Sequence, residues 1–235
     1  MSKSIPHKER QPACLLILGI DASGKNHVAN VISDHLAAGG RMVEKRQGSF
    51  SAPASAATSS EDKGFLNLAK EALFLKAYPL LKPLIFPVIN LLLNRDLQAF
   101  RQSRGALLVI SNTALRVLAF HLGHVFSRPE EIRLPAYLAT TLGAIQPRTQ
   151  VASLVLDVDH HVREARVGHR LANNKADHFD QYLAGDGLLS ERIEEFLVWL
   201  ATTYLGARVL INNNLRDEEI IAFMQEVVAP GEALP

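Results

Sequence analysis

Gly19-Ile20-Asp21-Ala22-Ser23-Gly24-Lys25-Asn26 is the stretch from which the rest of the chain can be read. It has the spacing G-x-x-x-x-G-K. Before it lies a short apolar run at 13–19 (ACLLILG), which predicts a buried parallel strand. After it come Val28, Val31, Ile32 and Leu36, the spacing of one helix face, and Gly39-Gly40 ends that helix. Strand, glycine-rich turn and helix in that order form the context in which this motif cradles phosphates. Glycines let backbone N–H groups curl around phosphate oxygens, the helix N-terminus adds partial positive charge, and Lys25 adds a full one.

Outward from the turn, strands and helices alternate. Strands are expected at 41–45, 106–110 (ALLVI), 153–158 (SLVLDV) and 208–211. Helices are expected at 27–38, 95–103, 114–126, 135–145, 160–170, 188–205 and 217–228. Alternation of this kind predicts a three-layer α/β domain of the P-loop nucleoside triphosphate hydrolase type. Its parallel sheet of about five strands is flanked by helices on both faces. The 235 residues fit a single domain, with residues 1–11 as a tail and the Ser/Ala-rich residues 47–62 as a flexible loop.

Composition narrows the function classes. A net charge of +1 gives no global field for nucleic acid, so no nucleic-acid partner is expected. The lone Cys14 can form neither an internal disulfide nor a cysteine-rich zinc site and reads as a small buried hydrophobe. The polar, basic start leads into an apolar run that ends at Asp21 without a cleavage pattern. That is a strand and turn instead of a signal peptide, and a cytoplasmic location is expected. His121 and His124, and the adjacent His160 and His161, lack carboxylate or cysteine partners at metal-site spacing.

Residues 72–93 form an apolar insert of nearly spanning length, interrupted by Lys76, Lys82 and prolines at 79, 83 and 87. Those interruptions argue against a simple spanning helix. The expectation is a helical hairpin packed on the domain or at a homodimer interface, in preference to membrane-surface contact.

The turn G-I-D-A-S-G-K resembles the G-x-D-x-S-G-K of thymidylate kinases. Leu156-Asp157-Val158-Asp159, followed by Arg166 and Arg170, is similar to that family's L-D-V…R…R segment, in which a strand leads into a mobile LID; residues 160–180 are the LID-like region here. Phe179-Asp180 and the closing helix–strand–helix also follow the family's layout. The resemblance implies ATP and Mg²⁺ as cofactors, and phosphoryl transfer to a nucleoside monophosphate or related small phosphorylated acceptor. Gly19, Ala22, Ser23, Gly24, Lys25, Asn26 and His27 would hold the triphosphate, with Asn26 facing the metal. Asp21 would sit beside the acceptor. Lys25, Arg166 and Arg170 would stabilise the transferring group. Arg163, Arg166 and Arg170 share a helix face by spacing, which also suits a solvated basic surface.

The chain departs from the family at several positions. Asn26 replaces the Ser/Thr whose hydroxyl binds Mg²⁺. Asn112-Thr113 replaces an Asp-Arg pair, and Thr113 cannot supply a guanidinium; Arg116, one helical turn on, is the candidate substitute. Glu44-Lys45-Arg46-Gln47 stands where the family has an acceptor-binding Arg-Glu-Pro segment, so thymidylate itself is not supported as acceptor. These losses motivate an alternative expectation, a catalytically impaired nucleotide-binding regulatory protein of the same fold.

Overall fold

The computed structural model describes residues 14–46, 73–101, 107–111, 113–145, 151–173 and 178–228. The expected tail and the 47–62 loop lie outside these residues, as do Gln47 and Asn112.

Five parallel strands form one sheet: β1 (Cys14–Leu18), β2 (Val43–Arg46), β3 (Leu107–Ile110), β4 (Val151–Asp157) and β5 (Arg208–Ile211), in the order β2-β3-β1-β4-β5. Every residue of β1 and β3 is buried, which is why both read as unbroken apolar runs. Leu15 is in register with Val109 on one side and Ala152 on the other, so β1 is the central strand.

Helices cover both faces. α1 (Lys25–Ala38) and a C-terminal helix, Asp217–Val228, lie on one face. There Val28, Ile32, Ile220 and Met224 meet Leu15, Ile17, Val109 and Leu154. On the other face, Cys14, Leu16, Leu18, Leu108 and Ile110 meet the helices between β2 and β5. The alternation of β1 residues between two cores is the period-two geometry of a strand. The three-layer α/β fold expected from the sequence is the observed one.

Between β2 and β3 the chain is helical over 73–81 (α2), passes through a 3-10 turn at Lys82–Leu84, and continues as α3 (Ile85–Arg101). Leu81 and Ile85, on either side of the turn, both have right-handed helical backbone angles. The expected hairpin is therefore corrected: there is no reversal, and the helix expected at 95–103 is the end of this longer run. Pro83 sits at the start of the 3-10 turn and Pro87 in the first turn of α3, places where a missing N–H is tolerated.

α4 (Ala114–Val125) follows β3, and α5 (Ala136–Gly143) precedes β4. After β4 come α6 (His160–Ala172), α7 (His178–Ala184) and α8 (Gly187–Leu205), with α9 (Asp217–Val228) closing the chain. α7 was not expected: its seven residues are too few to show a helical period in sequence.

Candidate active site

The site lies at the carboxyl end of β1, beside the central crevice of the sheet where connections leave in opposite directions. The Gly19–Asn26 turn joins β1 to α1. Ser23 N–H donates to the Ile20 carbonyl at 3.3 Å, and Ala22 (φ 59°) and Gly24 (φ 90°) are both left-handed, which curls the backbone back over the helix start. A Cβ at Gly24 would lie 2.5 Å from Asn212 Nδ2, and one at Gly19 would lie 2.4 Å from Ser23 Oγ. A Cβ at either position would force the neighbouring side chain to move, and at Gly24 the left-handed backbone adds strain as well. No side chain caps α1 and its first turn carries no acid, so the positive end of the helix faces the turn. Ser23 is wholly buried, and its hydroxyl has no hydrogen-bond partner among the described residues.

Lys25, the first residue of α1, is buried. Its Nζ donates to the Ile20 carbonyl at 2.7 Å and stands 3.9 Å from Asp21 Oδ1. Asp21 in turn accepts a hydrogen bond from Arg116 of α4. The Arg116 guanidinium also lies 4.7 Å from the centre of the Phe179 ring. The structure thus brings Arg116, the candidate substitute for the guanidinium absent at Thr113, to the turn. Thr113 is spent elsewhere: it is the N-cap of α4, and its Oγ1 accepts from Leu115 N–H at 3.3 Å.

Arg166 of α6 reaches the same turn. Its Nη1 donates to the Ala22 carbonyl at 3.3 Å and its Nη2 to the Asn212 carbonyl at 3.0 Å. Burial and the neighbouring Arg170 push the Arg166 guanidinium below its ordinary range. Asn212 closes the arrangement from the end of β5, donating from Nδ2 to the Ser23 carbonyl at 2.7 Å.

The face that Arg163 shares with Arg166 and Arg170 is not a solvated basic surface, and Arg163 lies deepest of the three. It is turned inward and buried, with Nη1 2.6 Å from Glu194 Oε2 of α8, whose Oε1 accepts from Val158 N–H. Burial outweighs the attraction of Arg163 and pushes the Glu194 carboxyl up to about 7. A pocket of about 220 Å³ lies under α6, bounded by Asp21, Arg163, Val167, Leu171, Leu183 and Ser190.

The remaining sequence candidates fall around this centre. Asn26 is exposed at the second position of α1. His27 is exposed too, and its side chain points to Asp217, 3.2 Å away. His121 is buried, with Nδ1 3.0 Å from the Tyr78 hydroxyl, and burial pushes its imidazole down to about 4. Among the described residues no three His, Cys, Asp or Glu side chains cluster as a metal centre.

Two residues were missed from sequence. Asn212 sits in the run Asn212-Asn213-Asn214, where nothing local separates a site residue from turn chemistry. Asp96, buried in α3, accepts from Ala114 N–H at 3.1 Å and so supports the start of α4. Its signal was present: a lone carboxylate inside an otherwise apolar helical stretch.

The chain matches no protein-family model and no curated protein. Among solved structures it is similar to the thymidylate kinase of Ehrlichia chaffeensis, at 9% identity over 93% of this chain and 99% of that one, with a TM-score of 0.48.

Proposed function

We propose that this chain is an ATP-dependent phosphotransferase that acts on a nucleoside monophosphate or a related small phosphorylated acceptor. The observation that carries the reading is the uncapped start of α1, with left-handed Gly24 and buried Lys25 at its head and two arginines from distant elements beside it. The motif resemblance to thymidylate kinases supports the same reading.

The residues fit a triphosphate. A Cβ would fill the space at Gly19 and Gly24, and the buried Ser23 hydroxyl has hydrogen-bonding capacity unspent among the described residues. In this reading Lys25 Nζ leaves the Ile20 carbonyl for the outer phosphates. Arg166 exchanges its two carbonyl partners for phosphate oxygens, and Arg170 adds charge beside it. Arg116, held by Asp21, faces the acceptor phosphate. When bound, Mg²⁺ neutralises charge between the outer phosphates. Such an ion keeps mostly water and phosphate ligands, and exposed Asn26 is the side chain that would face it. An oxygen of the acceptor phosphate forms the new bond to the γ-phosphorus as the bond to ADP breaks. That oxygen is already ionised at neutral pH, so no general base is required.

A second reading, nucleotide binding without useful transfer, is favoured by one observation. Thr113 is consumed as a helix cap, and the family's guanidinium is absent from its usual place. Transfer from γ-labelled ATP to nucleoside monophosphates separates the two. The phosphotransferase reading expects label in the acceptor, reduced at least about a hundredfold in Lys25→Ala. Tight ATP binding with no labelled acceptor supports the second reading.

A further inference from the structure

Asn212 is buried and joins three parts of the site. Its backbone N–H donates to the Asp157 carbonyl at 2.8 Å, which fixes it to the end of β4. Its own carbonyl accepts from Arg166 Nη2 of α6 at 3.0 Å. Its side-chain Nδ2 donates to the Ser23 carbonyl at 2.7 Å, inside the glycine-rich turn. A carbonyl oxygen only accepts, so this contact sets which end of the amide faces the turn.

The last of these bonds has a direction. A trans peptide is planar, and its C=O and N–H point to opposite sides. With the Ser23 oxygen held on the Asn212 side, the Gly24 N–H points away from the end of β5. The covalent chain does not enforce that orientation. Turning the Ser23–Gly24 peptide over changes mainly Ser23 ψ and Gly24 φ, and glycine accepts either sign of φ. The flipped peptide would offer a carbonyl oxygen to a phosphate in place of an N–H. We propose that Asn212 is a positioning residue for phosphate binding: its amide locks the Ser23–Gly24 peptide so that the Gly24 N–H stays turned into the cradle. Asparagine suits the task because it donates without charge. An aspartate would set a carboxylate against the Ser23 carbonyl and add negative charge where phosphates arrive. The lock runs through the side chain, so it persists when Arg166 leaves the Asn212 backbone carbonyl. The inference rests on the phosphotransferase reading only in that the turn receives phosphates.

Calorimetric titration of the whole protein with Mg²⁺-ATP, and separately with inorganic triphosphate, tests this at a temperature where melting curves show each variant folded. Asn212→Asp keeps the size of the side chain and loses the donor; Asn212→Ala loses both. Each should bind either ligand at least about tenfold more weakly. A cycle with Gly24→Ala, whose Cβ would press on Asn212 Nδ2, separates the lock from a merely structural role. Both substitutions break the same lock, so the double variant should bind about as weakly as the weaker single one, without the product of the two losses. Either Asn212 variant serves in the cycle, so poor folding of one leaves the other to decide. Asn212 variants that bind as the unaltered protein does, or losses that multiply in the double variant, would overturn the proposal and leave the phosphotransferase reading standing. Unaltered protein that binds neither ligand would overturn both. Binding that the Asn212 variants lose, with no transfer by the unaltered protein to any nucleoside monophosphate, would support the proposal and favour binding without transfer.

Discussion

Gly24 has a positive φ of 90°, and a Cβ there would press on the Asn212 amide that holds the Ser23 carbonyl. Gly40 has nearly the same backbone, φ 80°, with nothing within 4 Å of the added carbon. The pair separates strain from crowding. Gly40→Ala should lose about 1 kcal/mol in urea unfolding and leave ATP binding unchanged. Gly24→Ala should lose about 2–3 kcal/mol and weaken ATP at least about tenfold, since the curled N–H groups shift together. Equal effects of the two would show that the fit to Asn212 does not matter. Arg116→Ala offers a second separation: acceptor KM should rise about tenfold or more while ATP affinity changes little. At this scale the sequence was readable only where the chemistry is local. G-x-x-x-x-G-K is seven consecutive residues. The Asp21–Arg116 and Ser23–Asn212 contacts join residues 95 and 189 positions apart, and no spacing rule reaches that far.

α6 is joined to α8 by a buried ion pair, and this gives the LID-like segment a pH signature. The folded Glu194 carboxyl titrates near 7 instead of about 4.5, with Arg163, Asp157 and Glu191 as the charges acting on it. Between those values the folded state holds a proton that the unfolded state has released. The stability this group contributes is therefore complete below about pH 4.5 and lost as pH rises through about 7. Unfolding midpoints measured across that window should fall relative to those of Glu194→Gln, which has no such titration. Parallel curves would contradict the assignment. α3 makes a different claim, that only one of its sides packs. Ile89→Ala should cost about 2–4 kcal/mol, whereas Leu84→Ala at the neighbouring turn should stay within about 0.5 kcal/mol. Most helices and all five strands were legible because their apolar periods are plain. The insert was misread as a hairpin because three prolines look like breakers. Two of them occupy positions in a 3-10 turn and a helix first turn where proline does no harm.

Over the whole molecule, the order β2-β3-β1-β4-β5 is what turns scattered residues into one site. Placing β1 at the centre sets the glycine-rich turn between α4, which brings Arg116, and α6, which brings Arg166, with the end of β5 supplying Asn212. Parallel alternation was written in the sequence. The choice of neighbours for β1 was not, since it depends on packing both faces of the sheet at once. One thermodynamic consequence follows from the proposed function: ATP held jointly by the glycine-rich turn, α1 and α6 would bind only the folded chain. ATP at a hundred times its Kd should raise stability by about 2.7 kcal/mol and shift the melting temperature upward, and Lys25→Ala should lose most of that shift. The measurement closest to the central claim is ADP release from Mg²⁺-ATP across a panel of nucleoside monophosphates, with Lys25→Ala as the blank. Release that depends on one acceptor and disappears in the blank is the predicted result; equal release in Lys25→Ala, or none with any acceptor despite bound ATP, would contradict it.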